Sequence, residues 1–343
     1  MFLRISSKGA SSMTNARTPT ISRRLLLGGA LAAPLPAPAL AQAQWPSGNV
    51  RIIVPWPAGG STDVLVRLYA ERLGPILGTN VVIENRSGAG GNIGLDALAK
   101  SQPDGSVFSI ASVGHLCINP FLYARLPYDP AKDLQPVAIA WDLPNVAVVA
   151  AQYNPSKTLA EFIAWAKAKR GGMSYGSPGV GTTPHLSGAL FAARTGIEAT
   201  HVPFRGAAQT IPAMLSGDLD FALDNLASYV PVIQEGRMRA FAVTSAERWP
   251  TLPDVPTMAE AGVPNMVLTS WQGFVAPTGT SAAVIEKLGG ALRQVANDEA
   301  FKARVLRAGA LAMWSSPEAM TERANRDRPL WQEAVRVSGA RVE

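Results

Sequence analysis

Arg51-Ile52-Ile53-Val54-Pro55-Trp56-Pro57-Ala58-Gly59-Gly60-Ser61-Thr62-Asp63 is the stretch that decides how the rest of the chain is read. A short apolar strand runs into paired glycines, and a helical pattern then continues to Leu73. At such a junction the first backbone N–H groups have no acceptor inside the helix, and the positive end of the helix dipole lies beside them. The main chain alone therefore builds a seat for an anion. Glycine-rich turns without lysine follow other strands further along, at Asn85–Gly94, Tyr175–His185 and Phe204-Arg205-Gly206.

Outward from that unit the pattern alternates. It predicts strands at Val50–Val54, Val81–Glu84, Val107–Ala111, Val137–Ala140, Val146–Ala150, Met173–Gly176, Ala199–Val202, Asp220–Leu223 and Arg239–Val243. Helices are predicted between them at Thr62–Leu73, Ile93–Lys100, Leu159–Lys169, Pro184–Arg194, Ala207–Leu215 and Leu226–Glu235. Strands alternating with helices indicate α/β architecture with mostly parallel sheets flanked by helices. Two such sets predict two lobes, the second beginning after Asp142-Leu143-Pro144-Asn145. A proline-rich segment, Trp249 to Pro264, leads to a strand at Trp271–Ala276 and two long helices, Ala282–Asn297 and Pro317–Val337. These helices are expected to cover the first lobe, which makes that lobe discontinuous, gives two chain crossings and leaves a cleft between the lobes. The division expected is 1–43 as an export signal, 44–143 with 271–343 as lobe 1, and 144–270 as lobe 2.

The 343 residues, 47% hydrophobic and 16% charged, suffice for a large core. The formal charge of +6 is misplaced, because Arg4, Lys8, Arg17, Arg23 and Arg24 all precede residue 44 and no acidic residue does. The body carries 26 basic against 25 acidic residues, which leaves no electrostatic footprint for nucleic acid. Ser22-Arg23-Arg24-Leu25-Leu26-Leu27 reads as a twin-arginine-like n-region, and Ala39-Leu40-Ala41 or Ala41-Gln42-Ala43 fits a cleavage site near residues 41–43. The apolar run from Leu25 to Ala33 is shorter than the ~20 residues of a membrane span. Met13 is an alternative start. Cys117 is the only cysteine, so the chain makes no intrachain disulfide and no thiolate metal site. Export without disulfides points to a periplasm.

Each candidate residue has a plain alternative. The Gly88–Gly94 loop resembles a dinucleotide fingerprint but has G-x-G-x-x-x-G spacing in the second βα unit, so ligand contact and a structural turn both stay open. Ser112 could face the cleft, while His115 is equally a neutral packing residue. Thr183 reads as an N-cap with Pro184 at the first helical position; His185 reads as a helix-start histidine. Arg205 either clamps a carboxylate or is salt-bridged. Asp224 accepts from a ligand amine or hydroxyl, holds a water, or caps the next helix. Asp63 could do the same or stabilise a helix start. His201 lies inside a strand, and Trp314 and Trp331 read as packing on helical faces. The three histidines lack metal-ligand spacing, and the chain contains no G-x-S-x-G, no G-x-x-x-x-G-K-[ST] and no H-E-x-x-H. Neither a metal, a cofactor nor catalysis is expected.

The chain resembles the substrate-binding receptors of tripartite tricarboxylate transporters, the Bug-type or TctC-like proteins. The resemblance rests on Pro57–Asp63, Glu84–Gly94, Pro103-Asp104-Gly105, Leu126-Pro127-Tyr128-Asp129-Pro130 and Tyr175–His185. His201-Val202-Pro203-Phe204-Arg205-Gly206, Asp224-Asn225, Ala242-Val243-Thr244-Ser245 and Leu252-Pro253-Asp254-Val255-Pro256-Thr257 extend it over nearly the whole mature chain. It implies a two-lobe, type II-like periplasmic binding-protein fold, monomeric, that closes over a small carboxylate and delivers it to a two-component membrane permease. The ligand contacts it implies are Ala58, Gly59, Gly60, Ser61, Asp63 and Ser112 on one lobe. On the other they are Gly179, Thr182, Thr183, His185, Arg205 and Asp224, with waters bridging the carboxylate. Trp56 stands where phenylalanine is usual and joins this set, as a residue that narrows the pocket or stacks on an aromatic ligand. Ser87 replaces a usual proline, and Phe204-Arg205 replaces tyrosine-lysine; a guanidinium favours bidentate carboxylate geometry. A receptor that docks on a signalling partner, or an exported acid–base enzyme using Asp63, Asp224 and His185, are the alternatives.

Overall fold

The computed structural model describes residues 45–204 and 206–343, so the expected export signal and Arg205 lie outside the described residues. In chain order the elements are β1 (Val50–Val54), α1 (Ser61–Leu77), β2 (Val81–Asn85), α2 (Asn92–Ala99), β3 (Val107–Ser112) and α3 (Asn119–Leu122). Next come β4 (Leu134–Asp142), β5 (Asn145–Ala150), α4 (Leu159–Ala168), β6 (Met173–Ser177), α5 (Thr183–Thr195), β7 (Ala199–Pro203), α6 (Ala207–Leu215) and β8 (Phe221–Asn225). The chain continues through α7 (Leu226–Gln234), β9 (Met238–Val243), β10 (Gln272–Pro277), α8 (Ala282–Ala296), α9 (Glu299–Arg307), β11 (Leu311–Ala312) and α10 (Pro317–Ser338).

Two sheets form. One has the order β11-β4-β10-β3-β1-β2, the other β7-β6-β8-β5-β9. The chain passes between them twice, from β4 to β5 and from β9 to β10. Parallel pairing is confined to β2-β1-β3 and β7-β6-β8, whereas β4, β5, β9, β10 and β11 pair antiparallel. The sheets are thus mixed, a correction to the mostly parallel sheets that strand–helix alternation implied. Parallel neighbours require a helical crossover; β4 and β5 follow each other with no helix between them and enter different sheets.

Tyr69, Phe108, Trp141, Phe274 and Phe301 fill the space between one face of the first sheet and α1, α8 and α9. Met214, Leu219, Tyr229 and Trp249 fill the outer face of the second sheet against α6 and α7. A third apolar cluster is continuous across both sheets, running from Leu95 and Cys117 through Trp331 of α10 to Leu186, Leu190 and Phe221. As expected for a helix covering the first lobe, α10 packs on β4, and it packs on α5 as well. Trp331 is buried as read, but Trp314 precedes α10, is 36% exposed, and carries the Arg293 guanidinium over its ring.

α10 also ties the two crossings together. Arg323 donates to Asp142 at the end of β4 and to Thr269 Oγ1 (2.8 Å), and its guanidinium lies over the Trp271 ring. The Trp271 indole N–H donates to Asp327 (2.9 Å) on the same helix. Burial pushes the Asp142 carboxyl above its usual value, with Arg323 opposing that shift. Such a pair fixes geometry more than it adds net stability.

Candidate functional site

α1 starts after Gly60, whose extended backbone (φ −71°, ψ 165°) contributes no side-chain cap. Ala58, Gly59, Gly60 and Ser61 are exposed; the Gly60 N–H bonds to the Pro57 carbonyl (3.4 Å), and the first-turn amides of Ser61, Thr62 and Asp63 have no acceptor inside the helix. Asp63 is turned back into the turn that precedes it. One oxygen accepts from the Gly59 N–H (2.8 Å) and Arg67 Nε (2.9 Å), the other from Asn85 Nδ2 (2.9 Å). The Arg67 bond, with those from Gly59 and Asn85, outweighs burial and lowers the carboxyl to about 2. Asp63 is therefore ionised and shapes the turn from inside. Asn85 also donates to the Trp56 carbonyl (3.0 Å), and the half-buried Trp56 ring lies 4.9 Å from that of His115.

His115 belongs to a π-helical turn, Gly114–Ile118, that continues into α3; neither element was expected from the residue pattern. Its Nδ1 accepts from the Ser112 N–H (3.0 Å), so Nε2 carries the proton and donates to the Gly90 carbonyl (3.0 Å). Burial pushes His115 down to about 4, and it is neutral near pH 7. A Cβ on Gly91 (φ +92°) would sit 2.2 Å from His115 Nε2. The glycines of this loop thus answer to a close internal approach.

On the second sheet, β6 leads into Ser177-Pro178-Gly179-Val180-Gly181, which is followed by Thr182 and α5. The N-cap is Thr182, one residue before the Thr183 expected. Its hydroxyl accepts from the His185 N–H (3.4 Å) and donates to the Gly179 carbonyl (2.8 Å). The Thr182 carbonyl already takes the Leu186 N–H (3.1 Å), so the helix opens one residue early and Pro184 falls at its second position. His185 Nδ1 accepts from the Gly181 N–H (3.1 Å), and the His201 ring lies 3.9 Å away with Nε2 2.7 Å from Ser177 Oγ. Burial pushes both histidines to about 4, and His201 adds to the shift of His185. The Gly181 backbone abuts Leu122 of α3, so this loop touches the first sheet's helical layer.

α6 begins after Gly206 (φ +146°) and α7 after Asn225, neither start closed by a side-chain cap. Asp224 is sealed from solvent: one oxygen accepts from the Asn225 N–H (2.7 Å), the other from Tyr229 Oη (3.0 Å). Burial, against those two bonds, raises its carboxyl to about 6.

Five polar residues join the two halves, of which Ser270 and Gln272 carried no motif. Thr62 Oγ1, in the first turn of α1, lies 3.1 Å from both Oε1 and Nε2 of Gln272. Thr183, at the start of α5, bonds to Ser270, whose hydroxyl donates to Asn225 Oδ1 (3.2 Å). Ser270 and Gln272 are two residues apart on the returning chain crossing, about 7 Å in extended backbone. The N-termini of α1 and α5 therefore converge on one short segment. The ordered arrangement is a pair of amide seats with neutral imidazoles and hydroxyls around them.

Two serine–histidine pairs occur, Ser112–His115 (3.1 Å) and Ser177–His201. In the first the accepting nitrogen already takes an amide, and in the second the serine is fully buried; a nucleophile needs access as well as a base. Among the described residues, no group of three or more His, Cys, Asp or Glu is placed to hold a metal ion. No helix among them is long and apolar enough to cross a membrane. A cavity of about 640 Å³ lies elsewhere, lined by β4, α8 and the start of α10.

A family model described as the tripartite tricarboxylate transporter family receptor matches residues 65–333. Protein BugT of Bordetella pertussis is 34% identical over 307 residues, 87% of this chain and 92% of that one. Among solved structures, R. palustris Rpa4515 with adipate superposes with a TM-score of 0.79 at 34% identity, covering 87% of this chain and 100% of that chain. MatC from Rhodopseudomonas palustris with bound malate does so with a TM-score of 0.74 at 29% identity, covering 85% and 100%.

Proposed function

This chain belongs to the tripartite tricarboxylate transporter receptors, and from that premise we propose that it captures a small carboxylate between its two sheets and hands it to a membrane permease. The observation that carries the reading is the convergence of α1 and α5 on Ser270–Gln272. Two helix starts, α1 without a side-chain cap and α5 with the single Thr182 cap, supply amide donors from opposite sides. The imidazoles there are neutral at pH 7, so anion preference comes from backbone N–H groups and dipoles. The adipate and malate bound by the two structural relatives have the same chemistry.

In this reading residues 44–143 and 271–343 form lobe 1 and 144–270 lobe 2, and the ligand stabilises their closed arrangement. The contacts are Ala58, Gly59, Gly60 and Ser61 on lobe 1, with Ser112 and Trp56 at the wall. On lobe 2 they are Gly179, Thr182, Thr183 and Arg205, with His185 at the margin. Asp63 and Asp224 act from behind, by holding the turns. Residues 1–43 direct export to the periplasm, and the receptor works as a monomer that turns nothing over.

Calorimetry against di- and tricarboxylates, aromatic acids and acidic amino acids, joined to small-angle scattering, tests this. At least one carboxylate should release heat, contract the particle and be recovered unchanged. Absence of heat with every acid, or chemical conversion of the one bound, would overturn it.

A further inference from the structure

The bond directions around Thr183 go one step beyond a generic carboxylate site and rest on the reading just given. Asn225 Oδ1 can only accept, so the single Ser270 proton goes to it (3.2 Å). Ser270 then has only lone pairs for its other partner, and the Thr183 proton must point at Ser270. Ser270 is 7% exposed and Thr183 9%, so water does not compete freely for these bonds. What remains of the Thr183 hydroxyl is an acceptor. The neighbouring Thr182 hydroxyl is committed in the same sense, with its proton on the Gly179 carbonyl.

On the first-sheet side the first turn of α1 offers amide donors and the exposed Ser61 hydroxyl. The crevice is therefore polarised: donors at α1, and a lone-pair acceptor at the α5 start beside that helix's own N–H groups. A carboxylate oxygen facing Thr183 would set lone pair against lone pair.

We propose that Thr183, with its proton held by the Ser270–Asn225 relay, reads a hydroxyl on the ligand, and that the receptor is selective for hydroxy-carboxylates over the same acids lacking the hydroxyl. A site arranged around a ligand O–H rejects the analogue without it because a buried acceptor is left unpaired. An ammonium would also donate, but it would bring a full charge into a crevice whose buried acid, Asp224, is turned away to Tyr229.

The test is calorimetry with matched probes: succinate, malate and aspartate; glutarate and 2-hydroxyglutarate; tricarballylate and citrate. Whichever skeleton binds, its hydroxy member should bind at least tenfold more tightly than its plain one, and malate more tightly than aspartate. Thr183→Val should bring the ratio to within about twofold of unity. Ser270→Ala releases the Thr183 proton, which can then turn towards a carboxylate oxygen, so the ratio should narrow or reverse. Equal affinity of paired acids, a ratio that survives Thr183→Val, or preference for the amine would overturn the proposal while leaving a carboxylate receptor intact. Failure of every acid to bind would overturn the functional reading itself.

Discussion

The helix starts of this molecule fall into two groups. Away from the crevice, α4, α8, α9 and α10 each carry a side-chain cap, from Thr158, Ser281, Asp298 and Ser316. By contrast α1, α6 and α7 have none, while α5 is capped by Thr182 at 3.4 Å, the same length as the Ser281 cap of α8. A capped start meets its own electrostatic demand, and an uncapped one leaves that demand to something else. In the proposed function the uncapped starts of α1 and α7 leave that demand to a ligand, whereas α2 and α3, also uncapped, do not take part. The contrast extends to acids: the Phe301 amide beside Asp298 lowers that carboxyl, while burial raises Asp224.

The comparison can be broken most severely at α2, whose uncapped start is closed internally by the Gly88–Gly91 loop. Gly91→Ala adds a methyl 2.2 Å from His115 Nε2 at positive φ; about 3–5 kcal/mol of stability should be lost in urea unfolding. Gly181→Ala makes a fair control, because there the obstacle is the end of the Leu122 side chain. If the two variants were equally stable, the loop glycines would not be serving a close approach.

Giving α1 its own carboxylate sharpens the contrast. Gly60 has a φ that any residue adopts and room for a Cβ. Gly60→Asp should hold or raise the melting temperature, yet weaken carboxylate binding at least a hundredfold, about 3 kcal/mol. Unchanged affinity would show that the ligand does not use this helix start.

The acids predict a pH signature. Asp224 titrates at about 6 folded and 3.8 unfolded, so it favours folding below pH 3.8 and that stabilisation fades as pH rises through 6. The shift corresponds to about 3 kcal/mol. The three histidines act in the opposite sense, since each is lowered to about 4 and their stabilisation, present above 6.5, is lost as pH falls towards 4. The difference between wild type and Asp224→Asn isolates the acid: the variant should gain on wild type by up to about 3 kcal/mol between pH 4 and pH 8. A flat difference would place Asp224 in contact with solvent.

The smallest effect belongs to an ordinary cap. Ser316→Ala at α10 should cost about 1 kcal/mol of stability, read from the urea midpoint, with ligand affinity unchanged.

Most elements could be read from the sequence because their signals are local. α6 spans Ala207–Leu215, and β1 spans Val50–Val54, as expected from apolar runs punctuated by glycine. α9 escaped because Glu299–Arg307 mixes charges with few apolar residues, so no face stood out. The turn around His115 escaped because Gly114–Ile118 is too short for a period.

The sequence by itself determined the glycine-rich strand-to-helix turns, the neutral body and the family, since each depends on residues close together in the chain. Tertiary structure alone decided that the sheets are mixed, that Asp63 is answered by Asn85, and that Thr62, Thr183, Ser270, Gln272 and Asn225 meet. Hydrogen bonds are short and directional, so their partners are set by where the folded backbone brings each group. A lone polar residue in a sequence carries no mark of the one it will face.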